Sequence, residues 1–399
     1  MRFPRVKTQD GHVTNDSGIV LGIDAGGTST RAVVAAPDGS RLAHGRGPGG
    51  NPTAHGVAAA CAAIARAVAE ALAGYGGPGT ADAPGPVLGV VAGVAGNKPF
   101  STGDGRAALE RALGHLDLAP GARIEVVDDV GVAFAAGTPE PSGTVLISGT
   151  GAVAGAVSHR RLDVIADGLG WLLGDLGSGY WLGHEAARAV VRRLASPRAD
   201  RVDAAPKARK EPDLRRPAPG AASLPEHVTA LAGHAPNPGL PAPGEVLTPL
   251  VTRAVLPDAD PGLDGRELAI ALITALQGRH PLDLARLAPL VSEAAERGDP
   301  LAGDIVAEAA RLLTATVAEV RPPGDRTPIV LAGSVLTTPG PVRRAVSDLL
   351  ARRWDAPVTV AAHGAGAAAW LAALPLLGAE AVSAHARFVR PPAGPPPAG

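Results

Sequence analysis

The chain has 399 residues, 46% of them hydrophobic, a formal net charge of −1 and a single cysteine, Cys61. That length implies two domains rather than one small core. The near-zero charge leaves no electrostatic footprint for nucleic acid or an anionic membrane, and one cysteine rules out an intrachain disulfide framework, zinc cluster or cysteine-held iron–sulfur cluster.

Residues 1–17 are charged and lack the apolar stretch of a secretory signal, so they read as a disordered lead. Residues 19–34, IVLGIDAGGTSTRAVV, are two short apolar runs around a small-residue turn, the pattern of a β-hairpin. Bare N–H groups in such a turn can bind phosphate oxygens. Asp24 beside a phosphate cradle makes sense with a cation between them, which points to Mg²⁺ held through water. The plainer reading is a glycine-rich hairpin with a buried aspartate.

A helix is expected over about 56–72 and a buried strand over 87–94. Residues 107–113 read as helix, 124–127 as a strand ending at Asp128-Asp129, and 130–136 as the next helix. Asp128-Asp129 at a strand end suits a general base that takes a hydroxyl proton, and equally an N-cap. The break TPEPSG at 138–143 marks a domain boundary. Beyond it, residues 144–147, Ser148-Gly149-Thr150-Gly151 and 152–157 repeat the strand–turn–strand pattern. The repeat implies two related α/β halves facing one cleft.

Residues 168–183, GLGWLLGDLGSGYWLG, put Asp175 in a glycine-dense loop entering a helix at 179–195. Trp171, Tyr180 and Trp181 cluster there in a chain with only ten Trp, Tyr and Phe residues, as a specialised wall or as core. Residues 196–222 mix charge with proline and read as an exposed flexible insertion. Helices follow at 268–276, 282–296 and 302–320, a strand at 329–331, a helix at 341–352, a strand at 358–361 and a closing helix at 364–374. The tail from 386 onward reads as disordered. His55, His115 and His184 read as surface or capping residues. No uninterrupted apolar run nears the roughly 18 residues of a membrane span, and no P-loop, H-E-x-x-H or G-x-S-x-G element is present. A cytoplasmic enzyme is the economical reading.

Four segments share one grammar, a buried strand followed by a small-residue turn: 22–30, 91–96, 146–151 and 330–336. In α/β sheets ligands collect at such carboxyl ends.

IDAGGTSTRAVV at 23–34, VLISGTGAVA at 145–154, GWLLGDLGSGYWLG at 170–183 and VLAGSVLTTPGPV at 330–342 resemble the BadF/BadG ATPase family. That family includes N-acetylglucosamine kinases and belongs to the actin-like ATPase and sugar kinase superfamily. GPGGNPTAHG, VVAGVAG and VVDDVGVAFAAG match more weakly. The resemblance implies an α/β fold of two lobes around a cleft. One lobe would comprise residues 18–138, completed by 364–376, and the other 139–363. It implies ATP and Mg²⁺ as cofactors and an amino sugar as substrate. Gly26, Gly27 and Thr28 would hold ATP phosphates with Asp24 near Mg²⁺. Thr150 and Gly151 would form a second phosphate turn, and Gly333 and Ser334 would border the adenosine. Asp129 matches the family's base, with Asp128 where an Asn is usual. Asn51, Gly96, Gly149 and Asp175 would contact the sugar. Leu176 stands where the family usually has Glu, which bears on the choice among N-acetylglucosamine, glucosamine, N-acetylmuramic acid and glucose. The family's activators of radical dehydratases use a cysteine pair that this chain lacks. A non-catalytic nucleotide-binding regulator is the reading from a different class, and a homodimer fits the resemblance.

Overall fold

The structure is a computed structural model; it describes residues 18–40, 42–76, 85–196 and 241–391. The expected lead at 1–17 and the insertion from residue 197 onward lie outside the described residues, as does the tail beyond 391.

In chain order the first half holds β1 (Ile19–Ala25), β2 (Ser29–Ala35), β3 (Leu42–Pro48), α1 (Pro52–His55), α2 (Val57–Gly76), β4 (Val87–Val94), α3 (Gly103–Ala112), β5 (Ile124–Asp128) and α4 (Asp129–Ala135). The second holds β6 (Gly143–Ser148), β7 (Ala152–Ser158), β8 (Arg161–Asp167), α5 (Gly179–Ala195), α6 (Leu247–Val255), α7 (Gly265–Gln277), α8 (Ala288–Glu296) and α9 (Pro300–Val320). It continues through β9 (Ile329–Ala332), α10 (Ser334–Thr337), α11 (Pro341–Arg353), β10 (Val358–Val360), α12 (Gly364–Leu377) and α13 (Ala381–Val389).

The two five-stranded sheets have the orders β3-β2-β1-β4-β5 and β8-β7-β6-β9-β10. In each, the first three strands run antiparallel and the first, fourth and fifth run parallel. The strand–turn–strand repeat in the sequence is thus a repeat of sheet topology. All three parallel strands of a sheet end on one edge, which is where ligands of such sheets bind.

Layering follows from alternation along the strands. Ile19, Leu21 and Ile23 face α2 and α3, while Val20 and Gly22 face α12. α4 lies between the sheets. Val132 and Ala135 join the first sheet's core, and Val130 and Phe134 pack on Val145, Val157 and Val330 of the second. The far face of the second sheet is covered by α5, α6, α8, α9 and α11. The helices sit close because small residues meet: Gly22 faces Ala365 and Ala369 of α12, and Gly45 faces Ala67 of α2. The abundance of Ala and Gly thereby becomes helix-on-sheet packing.

By mean hydropathy over an 18-residue window, the helical stretches Val57–Tyr75 and Gly364–Val389 are long and apolar enough to cross a membrane, which uninterrupted runs did not reveal. Alanine raises the mean across the charges at Arg66 and Glu70. Both stretches lie against the first sheet, with Ala60, Ile64, Ala67 and Val68 buried in one and Ala365, Ala368, Trp370 and Phe388 in the other. That is how core helices behave.

Three expectations are corrected. Residues 386–389 are not a disordered tail: α13 continues to Val389, because Phe388 is buried against Gly39 and the Val389 carbonyl accepts the His363 N–H at 3.2 Å. The helix expected over 282–296 is a 3₁₀ segment, Pro281–Leu287, followed by α8, with a proline opening each. β3, β8 and α6 form where none was expected.

Asp299 organises the return of the chain after residue 240. It is 1% exposed and accepts N–H bonds from Leu301 at the start of α9 and from Gly244, Val246 and Leu247 at the start of α6, at 2.7–3.0 Å. One carboxylate thus caps two helices. Asp299→Ala leaves four donors unpaired, three of them buried, and is expected to cost about 3 kcal/mol, read as a lower denaturant midpoint at unchanged slope.

Candidate active site

Two groups of residues stand at the carboxyl edges of the two sheets. At the first, β1 ends in Asp24-Ala25, β4 in Val94 and β5 in Asp128, and Asp24 is level with Gly93 and Val127 across the ladder. The β1–β2 turn is closed by Gly26 N–H to the Ser29 carbonyl at 3.0 Å, leaving Gly27 and Thr28 exposed. The 49–55 loop lies against this turn: Gly50 N–H donates to the Gly26 carbonyl at 2.9 Å. Asn51 caps α1 by accepting from Thr53 and Ala54 N–H at 2.8 and 3.1 Å. Thr53 Oγ1 donates to the Gly96 carbonyl at 2.9 Å. Gly96 has φ +65°, and a Cβ there would press on Asn51 Oδ1 and Thr53 Oγ1. Asp24, Gly26, Gly27, Thr28, Asn51 and Gly96 therefore share one edge.

The pair Asp128-Asp129 divides its labour. Asp128 Oδ1 accepts the Gly131 N–H at 2.6 Å as the N-cap of α4, so this carboxylate is engaged. Asp129, the first residue of α4, is half-buried, and its acidity is shifted strongly. Burial, then the negative charge of Asp24, then that of Asp128 push its pKa up from 3.8 to about 6, against its own and Val130's backbone N–H. Asp24 is likewise raised by burial, with the Arg31 charge opposing. Its Oδ2 packs against Gly364, where α12 begins, so any side chain at 364 would displace it. Asp128 is thus engaged as a cap, while Asp129 in the next position does not cap the helix and holds its proton more tightly.

At the second edge, the β6–β7 turn is closed by Gly149 N–H to the Gly151 carbonyl at 2.9 Å, with Thr150 exposed. Gly179 and Tyr180 at the start of α5 donate to the carbonyls of Gly149 and Thr150 at 2.7 and 3.2 Å. Gly333, with φ +81°, lies so near Ser148 that a Cβ there would strike its carbonyl. A cavity of about 380 Å³ opens beside the turn, lined among others by Gly149, Thr150, Gly179, Pro289 and Ser334. Another cavity, of about 920 Å³, lies between α3 and the edge strand β5 and shares no residue with either group.

Asp175 is 7% exposed and lies behind the turn, with Oδ1 accepting the Ala152 N–H at 3.0 Å and both oxygens against Gly151. Its φ is +58°, held by its own N–H bond to Asp167 Oδ1 at 2.7 Å. Asp175 therefore buttresses the Thr150–Gly151 turn from behind. Leu176 is 42% exposed. Trp171 and Tyr180 meet edge to face at 5.7 Å and line a groove beside α5, while Trp181 packs on the core, so the aromatic cluster is part wall and part core.

The two edges are joined by α4 and α12: α4 packs on both sheets, and α12 follows β10 of the second sheet and meets Asp24 of the first. No group of three or more His, Cys, Asp or Glu that could hold a metal ion occurs among the described residues. The donor set is thus one or two carboxylates. That fits Mg²⁺, which keeps most of its waters and takes its other ligands from substrate phosphates.

Two topologically repeated sheets, each with small-residue turns at its carboxyl edge and joined through α4 and α12, define the actin-like ATPase fold. The chain belongs to the BadF/BadG/BcrA/BcrD ATPase family, whose model matches residues 21–368. Among solved structures it is similar to one described as an N-acetylglucosamine kinase from Chromobacterium violaceum. That likeness has 23% identity, a TM-score of 0.60, and covers 89% of this chain and 99% of the other. A second, so described, from Porphyromonas gingivalis has 19% identity and a TM-score of 0.54, covering 86% and 93%. An N-acetylmuramic acid/N-acetylglucosamine kinase of Clostridium acetobutylicum is 33% identical over 82 residues, 21% of this chain. That match spans 25% of the relative's length.

His55 is the site residue that sequence reasoning missed. Its Nε2 lies 2.6 Å from the Gly27 carbonyl oxygen. A histidine four residues beyond Asn51 carries no sequence signal of this contact.

Proposed function

We propose that the protein is an ATP-dependent sugar kinase that phosphorylates the 6-hydroxyl of an amino sugar, most simply N-acetylglucosamine. The observation that carries this reading is Asp129: a carboxylate that is not the cap of α4, raised to a pKa of about 6 by burial and the Asp24 and Asp128 charges, one residue past the end of β5. Asp129 accepts the proton of the sugar hydroxyl as its oxygen attacks the γ-phosphorus; the bond to the β-phosphate oxygen breaks and ADP leaves. Gly26, Gly27 and Thr28 offer N–H groups to the phosphates from one lobe, and Thr150 and Gly151 from the other. Gly333 and Ser334 border the adenosine, whose cavity beside Ser334 is of a size usual for such ligands. Mg²⁺, held at Asp24, would neutralise phosphate charge when bound. Asn51, Gly96 and Gly149 meet the sugar. Closure of the lobes excludes water and limits idle ATP hydrolysis. The reading carries a cytoplasmic location with it.

Leu176 favours keeping the sugar open within the class, since an exposed hydrocarbon chain there makes no hydrogen bond to a hydroxyl. Production of ADP against a panel of N-acetylglucosamine, glucosamine, N-acetylmuramic acid and glucose tests the reading. Sugar-stimulated ADP release is expected, fastest with an amino sugar. ADP release that no sugar stimulates rejects it and favours a nucleotide-binding regulator.

A further inference from the structure

We propose that His55 is a positioning residue that aims the Thr28 N–H into the nucleotide phosphate site. The inference rests on the nucleotide half of the proposed function and is independent of the sugar.

The β1–β2 turn is tied at its base, Gly26 through Ser29. At its tip a Cβ on Gly27 would meet nothing within 4 Å, and the Gly27 carbonyl lies against Gly49. With glycine on one side, the 27–28 peptide has backbone latitude that such contacts must restrict. The His55 ring fixes it. Nε2 faces a carbonyl oxygen at 2.6 Å and is therefore the nitrogen that carries the proton. The 27–28 peptide is trans, since no cis bond occurs among the described residues. In a planar trans peptide the C=O and the following N–H point in opposite directions. Holding the Gly27 oxygen toward α1 therefore turns the Thr28 N–H the other way, out of the protein. That N–H has no partner among the described residues.

The anchor behind His55 is firm. Asn51 caps the turn of helix that carries it, Thr53 ties that turn to Gly96, and Ala95 N–H returns to the Ala25 carbonyl at 3.0 Å. Gly49 is needed for the approach, because a Cβ there would strike both the Gly27 oxygen and His55 Nε2. Three turns of the first sheet thus form a closed ring, and His55 is the side chain that extends it to the exposed tip.

The test compares His55→Ala, which removes the donor, with His55→Gln, whose amide nitrogen reaches the place of Nε2. Calorimetry with ADP and Mg²⁺ is the readout, beside KM for ATP, kcat and the melting temperature. His55→Ala is expected to weaken ADP about tenfold, the scale of one well-placed hydrogen bond. KM for ATP rises in step, kcat changes little, and the ligand-free melting temperature stays within about 2 °C. His55→Gln restores affinity to within about threefold. Wild-type affinity in His55→Ala overturns the proposal, as does equal loss in both variants or a loss that follows the melting temperature. A wild-type protein that binds ADP but phosphorylates no sugar rejects the kinase reading and leaves this one intact; a wild-type protein that binds no ADP overturns both.

Discussion

Asp129→Asn is expected to lower kcat by about three orders of magnitude while sugar and ATP affinities change little. The amide keeps the shape of the carboxylate and loses the ability to accept a proton. The same substitution is expected to stabilise the ligand-free protein at neutral pH. Burial and the charges of Asp24 and Asp128 raise the folded-state pKa from 3.8 to about 6. The folded state therefore holds this proton more tightly than the unfolded chain. The resulting stability is fully present below about pH 4 and is lost as pH rises through about 6. At pH 7.5 the ionised group costs about 1–2 kcal/mol after allowance for its partial exposure, and Asn removes that cost. The melting temperature of Asp129→Asn should exceed wild type at pH 7.5, with the gain shrinking toward pH 4. Wild-type kcat/KM should fall on the acid side with a midpoint near 6 at low Mg²⁺, and a cation at Asp24 should move that limb lower. An Asp129→Asn protein with near-wild-type turnover would shift the base assignment to Asp128, whose Asn variant would then be inactive.

Gly22→Val is expected to abolish folding, or to cost about 4 kcal/mol or more, although it lies in a β-strand where valine is favoured. Any Cβ at position 22 would occupy the space of the Ala365 carbonyl and the Ala369 amide, so α12 would have to leave the sheet. Losing that seat also frees Gly364 from Asp24. Gly27→Ala is the counterpart. Its φ is not in the left-handed region and its new Cβ touches nothing within 4 Å, so stability should change by about 0.5 kcal/mol or less. ADP affinity, in contrast, should fall, because a methyl group now borders the phosphates. Urea denaturation and calorimetry on the two variants separate a glycine needed for packing from one needed for ligand approach. Equal destabilisation of both would contradict the division.

The turns proposed to carry chemistry were legible because each follows a buried strand. The runs before Gly26, Gly96, Gly149 and Gly333 are β1, β4, β6 and β9. Strands that lack a buried apolar run were not legible. β3 is LAHGRGP and β8 is RLDVIAD; the first carries glycines that let α2 approach, the second exposed charge at a sheet edge. Neither signature is local. The same holds for Phe388, polar-looking by its proline-rich surroundings yet buried against Gly39, about 350 residues earlier. Within the site, residue type alone did not tell Asp128 from Asp129, because capping and catalysis favour the same residue type at the same place; the resemblance pointed to Asp129. The Gly131 N–H bond to Asp128 supports that choice. Asp175 was found as an acidic residue in a glycine loop, but its partner, the Ala152 N–H 23 positions away, was visible only in three dimensions. His55 belongs to the same class: a contact across the 27–55 interval has no pattern in the chain.

The most direct test is the product itself. The purified protein is incubated with ATP, Mg²⁺ and N-acetylglucosamine, and the sugar is examined by ³¹P NMR and mass spectrometry. The account predicts one new phosphomonoester, on the 6-oxygen, formed mole for mole with ADP and absent with Asp129→Asn. An unmodified sugar beside accumulating ADP, phosphate on another oxygen, or the same ester from the Asn variant would contradict it.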